Sequence, residues 1–181
     1  MFEDFIPLDQ ISQSALETLL DGAFGTERHL RTAYRVRDGV DAIADLSFAL
    51  CDSGGDLLGS IQCWPVSLRC ADAEWPLIML GPVAVHPQRQ NAGIGRALVR
   101  EVLRRCDGSP LPGADALMLI GDPDYYGRWF GFTAGRTAKW RLPGPFERHR
   151  LLARGDSVPD CAGDLGPRRD RSGLQPAPGL A

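Results

Sequence analysis

Residues 80–98 read Leu-Gly-Pro-Val-Ala-Val-His-Pro-Gln-Arg-Gln-Asn-Ala-Gly-Ile-Gly-Arg-Ala-Leu, and here residue types and spacing could do chemistry. An apolar run ends at Val85, a polar loop carries Gly93 and Gly95, and a helical stripe begins at Ile94. Such a loop leaves the first N–H groups of the helix without intrahelical partners and aims them at one point. With the helix dipole they form an anion site, most often for phosphate. Gly93 permits close backbone approach or positive φ, and Gly95 is expected to let the helix sit tight on a sheet. Arg96 in the first turn opposes the dipole, which makes sense beside a bound anion. Two familiar phosphate loops do not fit. A Walker loop needs Lys-Ser/Thr where Arg96-Ala97 stands. A dinucleotide fingerprint needs a Gly or Ala at Leu98 and an acid closing a second strand, whereas Asp115 precedes its strand.

The elements that must position this loop follow from periodicity. Ile11, Ala15, Leu16, Leu19, Leu20 and Ala23 lie on one stripe, so residues 9–24 read as an amphipathic helix capped by Asp9 or Ser12 and ended by Gly25. A weaker, Arg-rich helical piece spans 27–37. The period then drops to two: 43–51 and 57–68 read as strands joined through Asp52-Ser-Gly-Gly-Asp56. Residues 75–85 are apolar on both faces and read as a central strand. A helix over 94–106 stops at Gly108, followed by a strand at 116–120, a short helix at 124–130 and strands at 132–142 and 150–153. Strand, helix, strand from 77 to 120 is a βαβ unit and hence locally parallel. The fold class is α/β, built on a mixed sheet. Pro82 inside the central strand predicts a bulge or a point where strands part, leaving main-chain groups free for an extended ligand.

Composition narrows the functional classes. The chain has 181 residues, 44% hydrophobic and 24% charged, which excludes wholesale disorder. Net charge is −3, which argues against nucleic-acid binding through a broad basic face. All but one of the 20 basic residues are arginine. No apolar stretch is long enough to span a bilayer, and the acidic opening lacks a signal-peptide pattern, so a cytoplasmic chain without a membrane partner is expected. Cys51, Cys63, Cys70, Cys106 and Cys161 show no Cys-x-x-Cys spacing; they are expected to be reduced, mostly buried thiols, with no metal site. From Gly155 onward few large apolar residues remain, so 155–181 is expected to be a mobile or loosely draped tail on a domain of residues 1–154.

The Gln90-x-x-Gly93-x-Gly95 spacing after Val83-Ala-Val-His-Pro87 resembles the acyl-CoA loop of the GNAT N-acetyltransferases. Downstream, Gly121-Asp-Pro-Asp-Tyr-Tyr-Gly-Arg-Trp-Phe-Gly-Phe132 is similar to a bacterial branch with Gly-Asp-Pro-x-x-Tyr-x-Arg-Phe-Gly-Phe. Here Trp129 is inserted between Arg128 and Phe130. The resemblance covers about residues 3–153. It implies a mixed, mostly antiparallel sheet with a central parallel βαβ pair and helices on both faces. It further implies acetyl-CoA as co-substrate, no metal, and transfer of the acetyl group to a primary amine, on a small molecule or a protein, by direct attack on the thioester.

By this resemblance the pantetheine arm pairs with the main chain of Val83, Ala84 and Val85. The pyrophosphate lies on the amides of Gln90, Asn91, Ala92, Gly93, Ile94, Gly95 and Arg96. An N–H near Val85 would face the developing oxyanion. Tyr126 matches the tyrosine that protonates the leaving thiolate, with Tyr125 as its neighbour; a phenol near pKa 10 can serve a thiol near 8.5. No base is assigned: Glu74 and Asp72 read as turn charges and His86 as a structural loop residue. Arg28, His29, Arg31 and Arg35 read first as a charged outer face; on the acceptor side they would suit an acidic or phosphate-bearing acceptor. Glu147 and His149 stand at the other wall of that pocket. A catalytically silent acyl-CoA-binding sensor is the alternative function. A toxin acetylating aminoacyl-tRNA ranks last, since the net charge shows no basic face. Monomer and homodimer both stay open.

Overall fold

Ser12 accepts a hydrogen bond from the Ala15 N–H and starts the first helix, α1 (Gln13–Phe24), as the apolar stripe predicts. Gly25 ends it at φ 84°. A computed structural model describes residues 5–169. A one-turn segment (Thr26–Leu30) and α2 (Thr32–Val36) replace the single helix expected over 27–37.

The strands are β1 (Phe5–Pro7), β2 (Phe48–Cys51), β3 (Leu57–Arg69), β4 (Glu74–Val85), β5 (Leu117–Ile120), β6 (Trp140–Arg141), β7 (Leu151–Arg154) and β8 (Gly163–Pro167). Between them lie α3 (Ile94–Cys106) and α4 (Pro123–Phe130). The sheet runs β1-β2-β3-β4-β5-β7, with β8 beside β3 and β6 beside β8. It is mostly antiparallel, with β4–β5 parallel as the βαβ unit requires, and β6–β8 parallel as well. Alternation along the strands builds two apolar layers. Phe48, Ile61, Ile78 and Leu119 pack with Ile94, Leu98 and Val102 of α3. Val66, Leu77, Met79 and Met118 pack instead with Val36, Trp140 and Leu165.

Three expectations need correction. Residues 43–51 are strand only from Phe48, because 44–46 form a turn. Residues 132–142 are strand only at Trp140–Arg141; the Thr137 hydroxyl donates to the carbonyls of Ala134 and Leu151 and holds the segment in turns. The third concerns the tail. β2 covers β3 only from Leu57 to Ile61, leaving the edge at Val66–Arg69 bare, and β8 pairs there. Residues 155–169 thus belong to the fold, with Val158 and Leu165 buried, because an uncovered strand edge offers partners that composition does not reveal. The rest of the expected tail, 170–181, lies outside the described residues.

The same packing overturns the expectation for two cysteines. Cys70 and Cys161 form a disulfide across a sequence separation of 91. Distance along the chain hid the pair until β8 brought them together. Cys63 and Cys106 are buried free thiols, and Cys51 is half-buried. Closing so long a loop is worth about 2–4 kcal/mol. Reduction is therefore expected to lower the unfolding temperature by roughly 4–16 °C, read by thermal unfolding with and without a phosphine reductant. No helix among the described residues is long and apolar enough to cross a membrane.

Candidate active site

The loop before α3 is shaped by two left-handed residues. Asn91 has φ 69°, and Gly93, the N-cap, has φ 82° and ψ 1°, confirming the positive φ expected there. No side chain caps α3. The first helical bond closes at Ala97 N–H to the Gly93 carbonyl, so the amides of Ile94, Gly95 and Arg96 have no intrahelical acceptor. Gly95 has a different role from the one expected. A Cβ there would lie 3.5 Å from the Tyr125 hydroxyl and 3.6 Å from Val85 Cγ2, ordinary contacts, and the residue lines a cavity. The tight approach of α3 to the sheet falls at Gly59, where a Cβ would meet Ile94 Cγ2 at 2.7 Å.

β4 supplies a free edge. It pairs with β5 only at Ile78–Leu117 and Met79–Met118. Beyond Met79 the two strands part, while Val83, Ala84 and Val85 stay paired with Ile61, Ser60 and Gly59 of β3 on their other side. The register shifts between Ile61 and Cys63, opposite Gly81 and Pro82, which is the bulge Pro82 predicted. The Gly81 carbonyl accepts from Trp64 Nε1 at 2.8 Å and Arg37 Nη1 at 2.9 Å, which pins the bulge.

α4 delivers the tyrosines. Asp122 caps it through the amides of Asp124 and Tyr125, and Gly131 ends it at φ 72°. The helix runs unbroken through Trp129 to Phe130. Tyr126 packs on Phe130 and Phe132 with its ring close against Gly121. Burial, with smaller effects of Tyr125 and Asp122, pushes its phenol well above the ordinary value. Burial also raises Tyr125, while Arg96 and Arg100 pull it back.

Two cavities meet at this point. The larger, about 520 Å³, is lined by Val83, Val85, Gln90, Asn91, Gly93–Arg96, both tyrosines and Trp129. Arg96 lies over the Trp129 ring at 4.5 Å, at its mouth. The smaller, about 140 Å³, lies between α2 and the parting strands, lined by Arg28, Arg31, Tyr34, Arg37, Met79 and Ile120 among others. Phe24, Val83 and Tyr126 line both. Of the loop residues predicted, Ala92 lines neither cavity, and the Ala84 side chain is buried on the α1 side.

The predicted arginine face divides. Arg28 is buried, not outward, and pairs with Glu17 and Asp21 while donating to the Tyr34 hydroxyl. Arg31 is exposed and lines the small cavity; Arg35 reaches the Pro143 carbonyl instead, and His29 points outward. His86 accepts from the Gln88 N–H as a turn cap. Glu74 binds Ser67 and Arg69 at the far end of β4, Asp72 is exposed in the β3–β4 turn, and Glu147 and His149 are exposed beside one another. No carboxylate or histidine lines either cavity among the described residues. Sequence reasoning missed Phe24 and Arg37. Phe24 was legible as the last apolar residue of the α1 stripe; Arg37 carried no signal beyond its place in a basic segment.

Gly121, given no role from the sequence, limits where the Tyr126 ring can lie. A Cβ there would stand 2.5 Å from Tyr126 Cε2 and 2.9 Å from Leu119 Cδ1. On the acetyl transfer that the resemblance implies, Gly121→Ala is expected to shift the ring and cut kcat about 10–100-fold, since displacements near 1 Å cost that much, while acetyl-CoA affinity holds. Steady-state kinetics, separating kcat from KM, checks this.

A parallel strand pair splayed beside an uncapped glycine loop, on a mostly antiparallel sheet, defines an α/β fold of the GNAT acetyltransferase type. A family profile described as "Acetyltransferase (GNAT) domain" matches residues 11–134, and the chain belongs to that family. A GNAT family N-acetyltransferase (YhbS) from Escherichia coli, solved with CoA, shares the fold at TM-score 0.66 and 22% identity, over 89% of this chain and 88% of that one. A GNAT family acetyltransferase from Brucella melitensis, solved with acetyl-CoA, gives TM-score 0.58 and 27% identity over 93% and 97%. A search of curated proteins found no match.

Proposed function

We propose that this protein transfers the acetyl group of acetyl-CoA to a primary amine. The observation that carries the reading is that the two cavities share Phe24, Val83 and Tyr126 in their linings, the larger having a free strand edge and open amides. The larger cleft fits the co-substrate. The unpaired side of Val83–Val85 can accept an extended amide-bearing arm, and the amides of Ile94–Arg96 can accept a pyrophosphate. The thioester supplies an activated acyl carbon. A main-chain N–H near Val85 would stabilise the oxyanion, the C–N bond forms as the C–S bond breaks, and Tyr126 gives its proton to the departing sulfur. The attacking nitrogen sheds its proton to water, and water returns a proton to the Tyr126 phenolate. Burial holds the phenol above its ordinary value, so it carries its proton when the thiolate departs.

Residues 121–132 support membership of the bacterial branch named above. An acetyl-CoA-dependent reaction fits the cytoplasm, where thiols are held reduced, and β-pairing of β8 then has to hold the C-terminal segment. The lack of a lining carboxylate or histidine favours one second reading, a silent acyl-CoA sensor. Thermal unfolding with acetyl-CoA, CoA, ATP and NAD tests the cofactor. Ligand at about 100 times Kd adds about 2.7 kcal/mol, a rise of roughly 5–10 °C at this size. A rise with both CoA species but not with NAD is expected; no rise with either abandons the reading. Thiol release with a panel of amines then separates enzyme from sensor.

A further inference from the structure

Two buried guanidiniums flank Tyr34, and their partners differ. Arg28 holds two carboxylates and the Tyr34 hydroxyl. Arg37, only 6% exposed, is sandwiched between the Tyr34 ring at 4.0 Å and the Trp64 ring at 4.2 Å. Its Nη1 donates to the Gly81 carbonyl, and among the described residues it pairs with no carboxylate. Burial lowers its pKa to about 10, against the favourable field of Tyr34, so it is still cationic at neutral pH. A buried charge is ordinarily paired, because desolvation costs several kcal/mol per ion. Arg37 instead lines the small cavity that reaches Tyr126, and among the described residues no acidic residue lines that cavity.

We infer that this cavity receives a small acceptor amine bearing a carboxylate, with the carboxylate on Arg37 and the amine toward Tyr126. The inference rests on the acetyl-transfer reading above and names its substrate class. The planar fork of arginine matches a carboxylate. The cavity holds about 140 Å³ and has Met79, Leu80, Leu119 and Ile120 in its lining, suiting a small, partly apolar acid. Arg31, exposed at the rim and without a carboxylate among the described residues, extends the positive potential outward.

The test is thiol release by the full chain with acetyl-CoA and matched amines: β-alanine, β-alaninamide and propylamine; leucine, leucinamide and isoamylamine; and aminoethyl phosphate. Carboxylates are expected to exceed their amides and plain amines at least tenfold in kcat/KM. Arg37→Met should erase that preference, read as the ratio of rates within each trio at one saturating acetyl-CoA concentration, so that any weakening of acetyl-CoA binding from loss of the Gly81 contact cancels. Equal or better use of amides or plain amines overturns the inference, as does a preference that survives Arg37→Met, or a phosphate preferred over both acids. If Arg37→Met does not fold, the wild-type comparison within each trio decides. Should no amine be acetylated although acetyl-CoA binds, the transfer reading fails, and calorimetry on the CoA-loaded protein judges the cavity alone. N-acetyl-β-alanine binding at least tenfold tighter than N-propylacetamide then supports the anion site; equal binding, or none, overturns it.

Discussion

Replacing Tyr126 by Phe is expected to lower kcat about 10²–10⁴-fold, the usual contribution of a positioned proton donor, with the KM for acetyl-CoA unchanged. The substitution removes one oxygen and keeps the ring, so the packing against Gly121, Phe130 and Phe132 persists and the unfolding temperature should hold. Tyr125→Phe separates the two phenols. The Tyr125 hydroxyl lies against the start of α3 beside Gly95, so its loss should raise the acetyl-CoA KM and leave kcat near wild type. The pH profile adds a readout with a definite sign. Burial holds the Tyr126 phenol above its ordinary value near 10, so it stays protonated through neutral and mildly alkaline pH. kcat/KM should therefore rise as the acceptor amine loses its proton and show no falling limb from Tyr126 below about pH 10. A profile that falls near pH 8 would assign the donor to another group.

Gly155→Ala is expected to be strongly destabilising. Gly155 has φ 119°, a conformation nearly reserved for glycine, and a Cβ there would stand 2.2 Å from the Asp115 carbonyl oxygen and 2.7 Å from its carbon. These are backbone atoms at the approach to β5 and cannot swing aside. The turn beyond is tied to the same residue: Ser157 N–H donates to the Asp115 carbonyl at 3.1 Å, and the Ser157 hydroxyl to its carboxylate at 2.9 Å. Clash and strain together are expected to cost about 3 kcal/mol or more, lowering the unfolding temperature by roughly 6–12 °C. Gly131→Ala is the control. It has φ 72° with nothing within 4 Å of an added Cβ, so it carries strain without a clash and should cost about 1 kcal/mol.

Gly155 also shows where composition misleads. Read along the chain it opens a Gly, Pro and Arg-rich stretch that resembles a tail. In three dimensions it is a tight turn that sends residues 156–167 back across the sheet, because β2 is too short to cover the far half of β3. An edge left bare by a neighbour's length is a property of the pairing, invisible to any local window.

Most of the order and type of the elements, the β4–α3–β5 unit, the irregularity at Pro82 and the left-handed Gly93 were legible in the sequence. Each is written in short-range features: hydrophobic period, a proline in a strand, a glycine at a helix start. Tertiary structure alone decided which side chains face the cleft. Arg28 and Arg37 lie nine residues apart in one basic segment, yet one is neutralised by α1 and the other is caged by Tyr34 and Trp64. Gly121 is required because the Tyr126 ring folds back over it, and Cys70 meets Cys161 because β8 fills an open edge. Burial, partner identity and pKa depend on what arrives from elsewhere in the chain, and no local pattern of residue types encodes that arrival.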